Sequence, residues 1–409
     1  MEPSQRSEGA SIKKPRTPPA PPGAYTGAEL LGEILRRLPD MASLASAALV
    51  CKRWGRIASD PAVFRRFSSL RRPPLVGVIL TDLGRERFPL HNPALRFIAA
   101  HSRHPEQDLA AAFGDFYFQR HPEIKAADEW RLRGCDGGLL LLSCGRYASK
   151  LAVYDPLECT AIFFQPPERW HTGRYAIVAD EADASFQVIG IDLWVEETFA
   201  VFSSRTGKWV VLDSSFPYWG FAWPRSDGMA AGRFAYWRSN TKNWHEDEEK
   251  IYVLDTKTMV WSVITAPFPV GESYCVADMA EHGGLCIVSS REQSVLLWVR
   301  DINGGWVVKK EVSLLNQFGY LKRIRRDEWM KRLRILAMKA GYVYMEFWSI
   351  RKSESYILVL NLNTVKLQQF FRNITAKRYR GAAFPFFLRF HHCLPHMMIR
   401  KFKMLDSME

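Results

Sequence analysis

One recurring pattern constrains the fold of this chain more than any other feature. Five segments carry it: Val153-Tyr-Asp-Pro-Leu-Glu-Cys-Thr160, Val201-Phe-Ser-Ser-Arg-Thr-Gly-Lys-Trp209, Val253-Leu-Asp-Thr-Lys-Thr-Met-Val-Trp261, Val299-Arg-Asp-Ile-Asn-Gly-Gly-Trp306 and Val359-Leu-Asn-Leu-Asn-Thr-Val-Lys-Leu367. Each reads as an apolar run, a polar turn, and a second run that opens with Trp in three cases. The anchor valines stand 48, 52, 46 and 60 residues apart. A unit of that length holds about four strands. A four-stranded sheet with two apolar faces cannot bury both alone, whereas radial stacking buries both and leaves only short edges. The pattern therefore predicts an all-β ring of stacked sheets, a β-propeller.

Other runs support strands throughout this region: Leu75–Leu80, Leu139–Leu142, Tyr175–Val178, Phe186–Ile189 and Tyr342–Met345, separated by Gly, Asp, Asn and Ser. Strands do not alternate with long helical stretches, which argues against a parallel α/β sheet. The repeat length is close to that of kelch-type blades and above that of the WD type. An additional copy is read at Leu80-Thr-Asp-Leu-Gly-Arg-Glu-Arg-Phe88, and five or six copies would fill residues 73–403. A solenoid or a sandwich is the competing architecture.

The first 72 residues differ in kind. Residues 1–24 are polar and Pro-rich and read as an extended tail, with a short basic cluster at Lys13, Lys14 and Arg16. Residues 25–70 read as short helices. Thr26 and Glu29 have the spacing of a capping box. Leu30, Leu31, Ile34, Leu35 and Leu38 then recur at helical spacing until Pro39. A second stretch carries Leu44, Ala47, Ala48 and Cys51 and continues through Trp54 to Ile57, with Phe64 and Phe67 as further anchors. So few residues cannot bury that much apolar surface among themselves. The surplus needs a neighbour or a partner protein.

Glu29-Leu-Leu-Gly-Glu-Ile-Leu-Arg-Arg-Leu-Pro39, Leu44, Ala48-Leu-Val-Cys-Lys-Arg-Trp54, Asp60-Pro61 and Phe64 together resemble an F-box. Thr26-Gly27 stands where that motif usually opens with Leu-Pro. Arg72-Pro-Pro-Leu-Val-Gly77, Gly134-Cys-Asp-Gly-Gly-Leu-Leu-Leu-Leu142 and Leu151-Ala-Val-Tyr-Asp-Pro156 resemble the body of plant F-box receptors. The resemblance implies an α+β multidomain chain, with a small all-α F-box unit followed by an all-β propeller-like recognition domain. It implies docking on a Skp-family adaptor, and through it on a cullin scaffold, within an SCF-type ubiquitin ligase. Leu30, Leu31, Ile34, Leu35, Leu38, Pro39, Leu44, Val50 and Trp54 would form or brace the adaptor-facing surface, and Cys51 would be a small buried hydrophobe. The target protein stays unassigned.

Charge and motif content bound the alternatives. The net charge of +13 is uneven: residues 366–403 hold nine Lys/Arg and no acid, whereas residues 178–301 hold 18 acids and 10 bases. The basic end admits a nucleic-acid surface, but no RNA- or DNA-binding signature accompanies it, so exposed bases around the last strands are the preferred reading. A propeller enzyme acting on a small molecule at the central channel is the other alternative. The strings GxxxxGK[ST], GxGxxG, GxSxG and HExxH are absent from the sequence, so no catalytic residue and no cofactor are expected. His391, His392, Cys393 and His396 match no standard zinc spacing, and Cys275, His282 and Cys286 read as strand thiols around a Gly-Gly turn. His245-Glu-Asp-Glu-Glu249 reads as a solvated acidic loop. The seven cysteines, with no apolar run long enough for a signal or membrane helix, point to reduced thiols in the cytoplasm or nucleus.

Overall fold

The computed structural model describes residues 27–38, 41–48, 50–58, 60, 62–63, 66–67, 75–82, 94–99, 130–145, 148–156, 158, 160–168, 170, 173–180, 185–192, 199–212, 226–239, 248–291, 293–314, 333–349, 354–373 and 383–387. Residues 1–24, Thr26, Pro39, Phe64 and the His391–His396 cluster lie outside them.

Three helices come first: α1 (Gly27–Arg36), α2 (Met41–Ala48) and α3 (Lys52–Ala58). They share a core of Leu31, Leu35, Leu44, Ala47, Ala48, Ala58 and Phe67. Close helix approach needs small residues here, since a Cβ at Gly55 would sit 2.9 Å from the Ala48 carbonyl oxygen. The second stretch expected from the sequence is two helices, with a break at Val50 and Cys51. That break ends the helical phase, and Cys51 is exposed rather than buried. Asp60 follows α3, and its Oδ1 accepts the Ala62 N–H at 2.7 Å, starting the next turn.

From Leu75 on, the described elements are strands apart from one 3-10 turn at Ala280–His282. Five four-stranded antiparallel sheets follow one another in chain order. They are β3 (Trp130–Asp136) to β6 (Thr160–Phe164), β7 (Arg174–Ala179) to β10 (Lys208–Leu212), and β11 (Met229–Ala231) to β14 (Val260–Thr265). Then come β15 (Tyr274–Met279) to β18 (Trp306–Ser313) and β19 (Leu333–Lys339) to β22 (Lys366–Asn373). The last sheet joins the two ends of the domain: β23 (Ala383–Phe387) pairs with β1 (Leu75–Asp82), which pairs with β2 (Ala94–Ala99). The inner strands β3, β7, β11, β15, β19 and β23 each contact the next, and β23 returns to β3. The chain therefore closes a ring, a β-propeller of five full blades with a three-stranded closing sheet.

Among the described residues, five of the six pairs of neighbouring sheets enclose an apolar cluster, and middle strands serve two clusters at once. In β13 (Lys250–Asp255), Ile251 and Val253 face the fourth blade, whereas Tyr252 and Leu254 face the second. In β21 (Glu354–Asn361), Leu358 and Leu360 face the fourth blade and Ile357 and Val359 the closing sheet. Both faces are buried, so these strands read as continuous apolar runs rather than as alternation. The third blade sits tightly on its neighbour: a Cβ at Gly228 would lie 2.4 Å from Trp237 and 2.9 Å from the Ala176 Cβ.

The repeat found in the sequence is the hairpin between the third and fourth strand of every full blade. Val153, Val201, Val253, Val299 and Val359 all lie on third strands. The turn acid or amide holds the hairpin. Asp255 Oδ1 accepts the Lys257 N–H at 3.0 Å, Asp301 Oδ1 the Gly305 N–H at 2.7 Å, and Asn361 Oδ1 the Asn363 N–H at 2.8 Å. The tryptophans pack between blades. Trp261 meets Phe199 of the second blade edge-on with centroids 5.4 Å apart, and Trp209 packs on Phe164 of the first blade at 6.0 Å. The additional copy read at Leu80–Phe88 does not match. Leu80 lies within β1, the second strand from the centre of its sheet rather than the third, and residues 83–93 lie outside the described residues.

Candidate functional site

Two surfaces stand out, one on the helical unit and one on the ring. On α1, two pairs at spacing i, i+4 face different ways. Leu31 and Leu35 enter the core, with Leu35 fully buried. Leu30 and Ile34, one position earlier on the helix, keep 55% and 47% of their surface exposed. Val50, between α2 and α3, is 65% exposed. Leu44 is buried, while Leu38 and Trp54 are half-buried and pack against the core. Pro39 lies outside the described residues. Eight of the nine residues singled out in the sequence are described, and they divide into the exposed Leu30, Ile34 and Val50 and the buried or half-buried Leu31, Leu35, Leu38, Leu44 and Trp54.

On the ring, all inner strands begin at one end, and charged groups collect there. Arg133 is 8% exposed; its Nη2 donates to the Gly173 carbonyl at 2.6 Å and its Nε lies 3.2 Å from Asp227 Oδ2. Asp227 Oδ1 accepts the Tyr175 N–H at 3.0 Å. Arg238 Nε donates to Glu249 Oε1 at 3.0 Å, and the Tyr274 hydroxyl donates to the same oxygen at 2.8 Å. Burial works against the Arg238 charge, but Tyr274 and Glu249 outweigh it and raise its pKa. Glu249 is therefore a buried partner of Arg238 and not part of a solvated loop; within the stretch 245–249 only Glu248 and Glu249 are described, and Glu248 is exposed and pairs with Lys250 at 2.9 Å. A third pair joins Arg334 to Glu346 with Nε–Oε2 at 2.9 Å. Sequence reasoning missed this charged end because its members come from different blades and lie up to about 200 residues apart.

Cys275 and Cys286 are not activated thiols. Cys275 and Cys286 are buried, and burial pushes both thiols up to about 12. His282 sits in the turn between their strands. Among the described residues, no group of three His, Cys, Asp or Glu side chains is placed to hold a metal, and no helix is long and apolar enough to cross a membrane.

This arrangement is a small helical unit with exposed apolar side chains on α1 ahead of a closed β-ring. Residues 28–69 match the sequence model of the F-box-like family. The chain thus carries an N-terminal F-box-like domain followed by a β-propeller. It is 22% identical over 191 residues to an Arabidopsis thaliana protein that is named as an F-box protein, covering 46% of this chain and 48% of that one. The chain spans about half the length of that curated relative. Among solved structures it is similar to a chain of a nidogen–laminin complex, with a TM-score of 0.38, 11% identity, and coverage of 75% of this chain and 96% of that one. It is also similar to an oligogalacturonate lyase in complex with manganese, with a TM-score of 0.36, 13% identity, and coverage of 62% and 67%. At these scores neither structure informs function.

Proposed function

We propose that this protein is the substrate-recognition subunit of an SCF-type cullin-RING ubiquitin ligase. The F-box-like unit docks on a Skp-family adaptor, which links it to a cullin scaffold, and the propeller holds a target protein. The observation that carries the reading is the exposed group Leu30, Ile34 and Val50 on a unit that matches the F-box-like family. Three large apolar side chains at a surface mark a place for a partner. Leu31, Leu35 and Leu44 form the core of the helices, with Leu38 and Trp54 packed against it.

The mechanism is proximity. The receptor contributes no catalytic residue; it raises the effective concentration of a target lysine beside the ubiquitin-loaded conjugating enzyme. It works with reduced thiols in the cytoplasm or nucleus and needs no cofactor. The test is reconstitution of the full chain with a Skp-family adaptor and a cullin. Co-elution of all three in size-exclusion chromatography, lost on Ile34→Asp, is expected. If the wild-type chain elutes apart from the adaptor, or if Ile34→Asp co-elutes unchanged, the reading is wrong.

A further inference from the structure

Every full blade ends on an outer strand with no further strand beside it among the described residues. Such an edge accepts another chain unless charge, a bulge or cover blunts it. Four of the five are blunted. β18 (Trp306–Ser313) carries Lys309, Lys310 and Glu311, and its register shifts opposite Leu297 and Trp298. β22 (Lys366–Asn373) shifts register opposite Ile357 and Leu358. On β6 (Thr160–Phe164), the Phe163 ring is covered by the Lys150 ammonium at 4.3 Å and flanked by Trp130 at 5.9 Å. On β14 (Val260–Thr265) the exposed large apolar surface is confined to Val260, and Lys250 Nζ donates to Thr265 Oγ1 at 2.7 Å at the far end.

β10 (Lys208–Leu212) has none of these devices. It pairs with β9 (Phe199–Ser203) residue for residue without a bulge, and it holds no charge after Lys208. Both faces are anchored. Trp209 turns to the first blade and donates its Nε1 hydrogen to the Gln165 carbonyl at 2.6 Å, while Leu212 packs on the cluster between the second and third blades. Between these anchors Val210 and Val211 keep 55% and 54% of their surface exposed, one on each face of the strand. Alternate residues of an edge strand turn their N–H and C=O outward. The edge is therefore complementary to an extended backbone that brings apolar side chains to both faces. Charge adds a direction. Arg205 in the hairpin is matched by Asp180 at 3.7 Å, whereas Lys208 is exposed and holds no ion pair among the described residues. The open edge thus carries one unmatched cation, at its start.

We propose that β10 is a docking edge that takes an extended segment of a target protein as an added antiparallel strand, with two apolar residues opposite Val211 and Val210 and an acid opposite Lys208. The proposal rests on the receptor reading above. The antiparallel direction places the acid two residues after the apolar pair, with one free position opposite Trp209. A second copy of the chain fits less well. The edge is five residues long, about 17 Å, and its exposed apolar surface is two valines, far short of the roughly 800 Å² per partner of a stable interface. A copy of β10 also brings a lysine to the edge where an acid is wanted.

The test uses the full chain in complex with its adaptor, probed on an array of degenerate peptides with Val-Val-Thr-Glu, Val-Val-Thr-Lys or Ser-Ser-Thr-Glu fixed at the centre. Wild type should retain Val-Val-Thr-Glu at least about tenfold over the other two. Val210→Lys with Val211→Lys should lose that selection, and Lys208→Glu should move it to Val-Val-Thr-Lys. The three side chains are exposed, so melting temperatures should stay unchanged, and the moved preference of Lys208→Glu is a gain that misfolding does not produce. Methylating the amide nitrogens of alternate peptide residues should abolish binding in one phase and spare it in the other, as backbone pairing requires. No selection by wild type, equal selection by the double lysine variant, or indifference to methylation in both phases overturns the proposal. So does a dimer of the free chain in light scattering that the double lysine variant dissolves, since a second copy then occupies the edge. Adaptor co-elution is scored in parallel: failure of the array with adaptor binding intact refutes the docking edge alone, whereas loss of adaptor binding by wild type refutes the receptor reading.

Discussion

The division within α1 makes a quantitative prediction. Leu30, Ile34 and Val50 retain 55%, 47% and 65% of their surface in the isolated chain. Full burial of a large aliphatic side chain is worth about 1.5–3 kcal/mol, so roughly half of that, about 1 kcal/mol each, remains available to a partner. Replacing all three by Ala should weaken adaptor binding by about 3 kcal/mol, or about 150-fold, with little effect on folding. Leu35 has no exposed surface, and Leu35→Ala should cost about 2–5 kcal/mol of folding stability. A helical unit this small has about that much to lose. Isothermal titration calorimetry with the adaptor, paired with circular dichroism melts, separates the two outcomes. Adaptor affinity within threefold of wild type for the triple variant would refute the assignment of this face. A Leu35→Ala chain with unchanged melting would refute the core.

Further predictions concern the ring. Asp255→Ala removes acceptors for the Lys257 and Thr258 N–H groups and an ion pair with Arg233, and should cost about 1–2 kcal/mol in a denaturant titration. Val365 holds φ at +57°, a strained value for a β-branched residue, so Val365→Gly should raise the melting temperature, in line with the glycine at φ +67° in the hairpin at Gly207. Arg238→Met should destabilise more than Glu249→Gln in thermal melts, because the carboxylate it strands is 5% exposed whereas the arginine side chain keeps 38%. With thiols raised to about 12, only about one in 10⁴ of Cys275 and Cys286 is ionised at pH 8; mass spectrometry after iodoacetamide should find both unmodified in the native chain and Cys51 labelled, with adaptor protecting Cys51.

What the sequence made legible was local. The hairpins at Asp255, Asp301 and Asn361 declare themselves because the turn chemistry lies within a few residues. The apolar runs of third strands are readable because both faces are buried. The closing sheet was not readable, since β23 and β1 meet only when residues about 300 apart pair, and its inner hairpin position is occupied by the chain ends. The reading of Cys51 failed for a related reason: helical phase carries no information across the break at Val50. Glu249 looked like one acid in a run, and only the neighbouring strand and blade, with Arg238 and Tyr274, make it a buried one. Arg133, Tyr175 and Asp227 are far apart in sequence and meet only when β3, β7 and β11 lie side by side.

A ring closed by its own two ends imposes an order on synthesis. β1 emerges early and waits with one edge unpaired until residues 383–387 arrive, the last of the described strands to be made. Such an edge is a template for unwanted pairing. By then the helical unit, whose core is complete by Phe67, has long left the ribosome. On the receptor reading proposed above, a ribosome that stops anywhere before residue 383 would leave a chain with its helical unit made and its ring open, able to occupy the adaptor without a finished surface for a target.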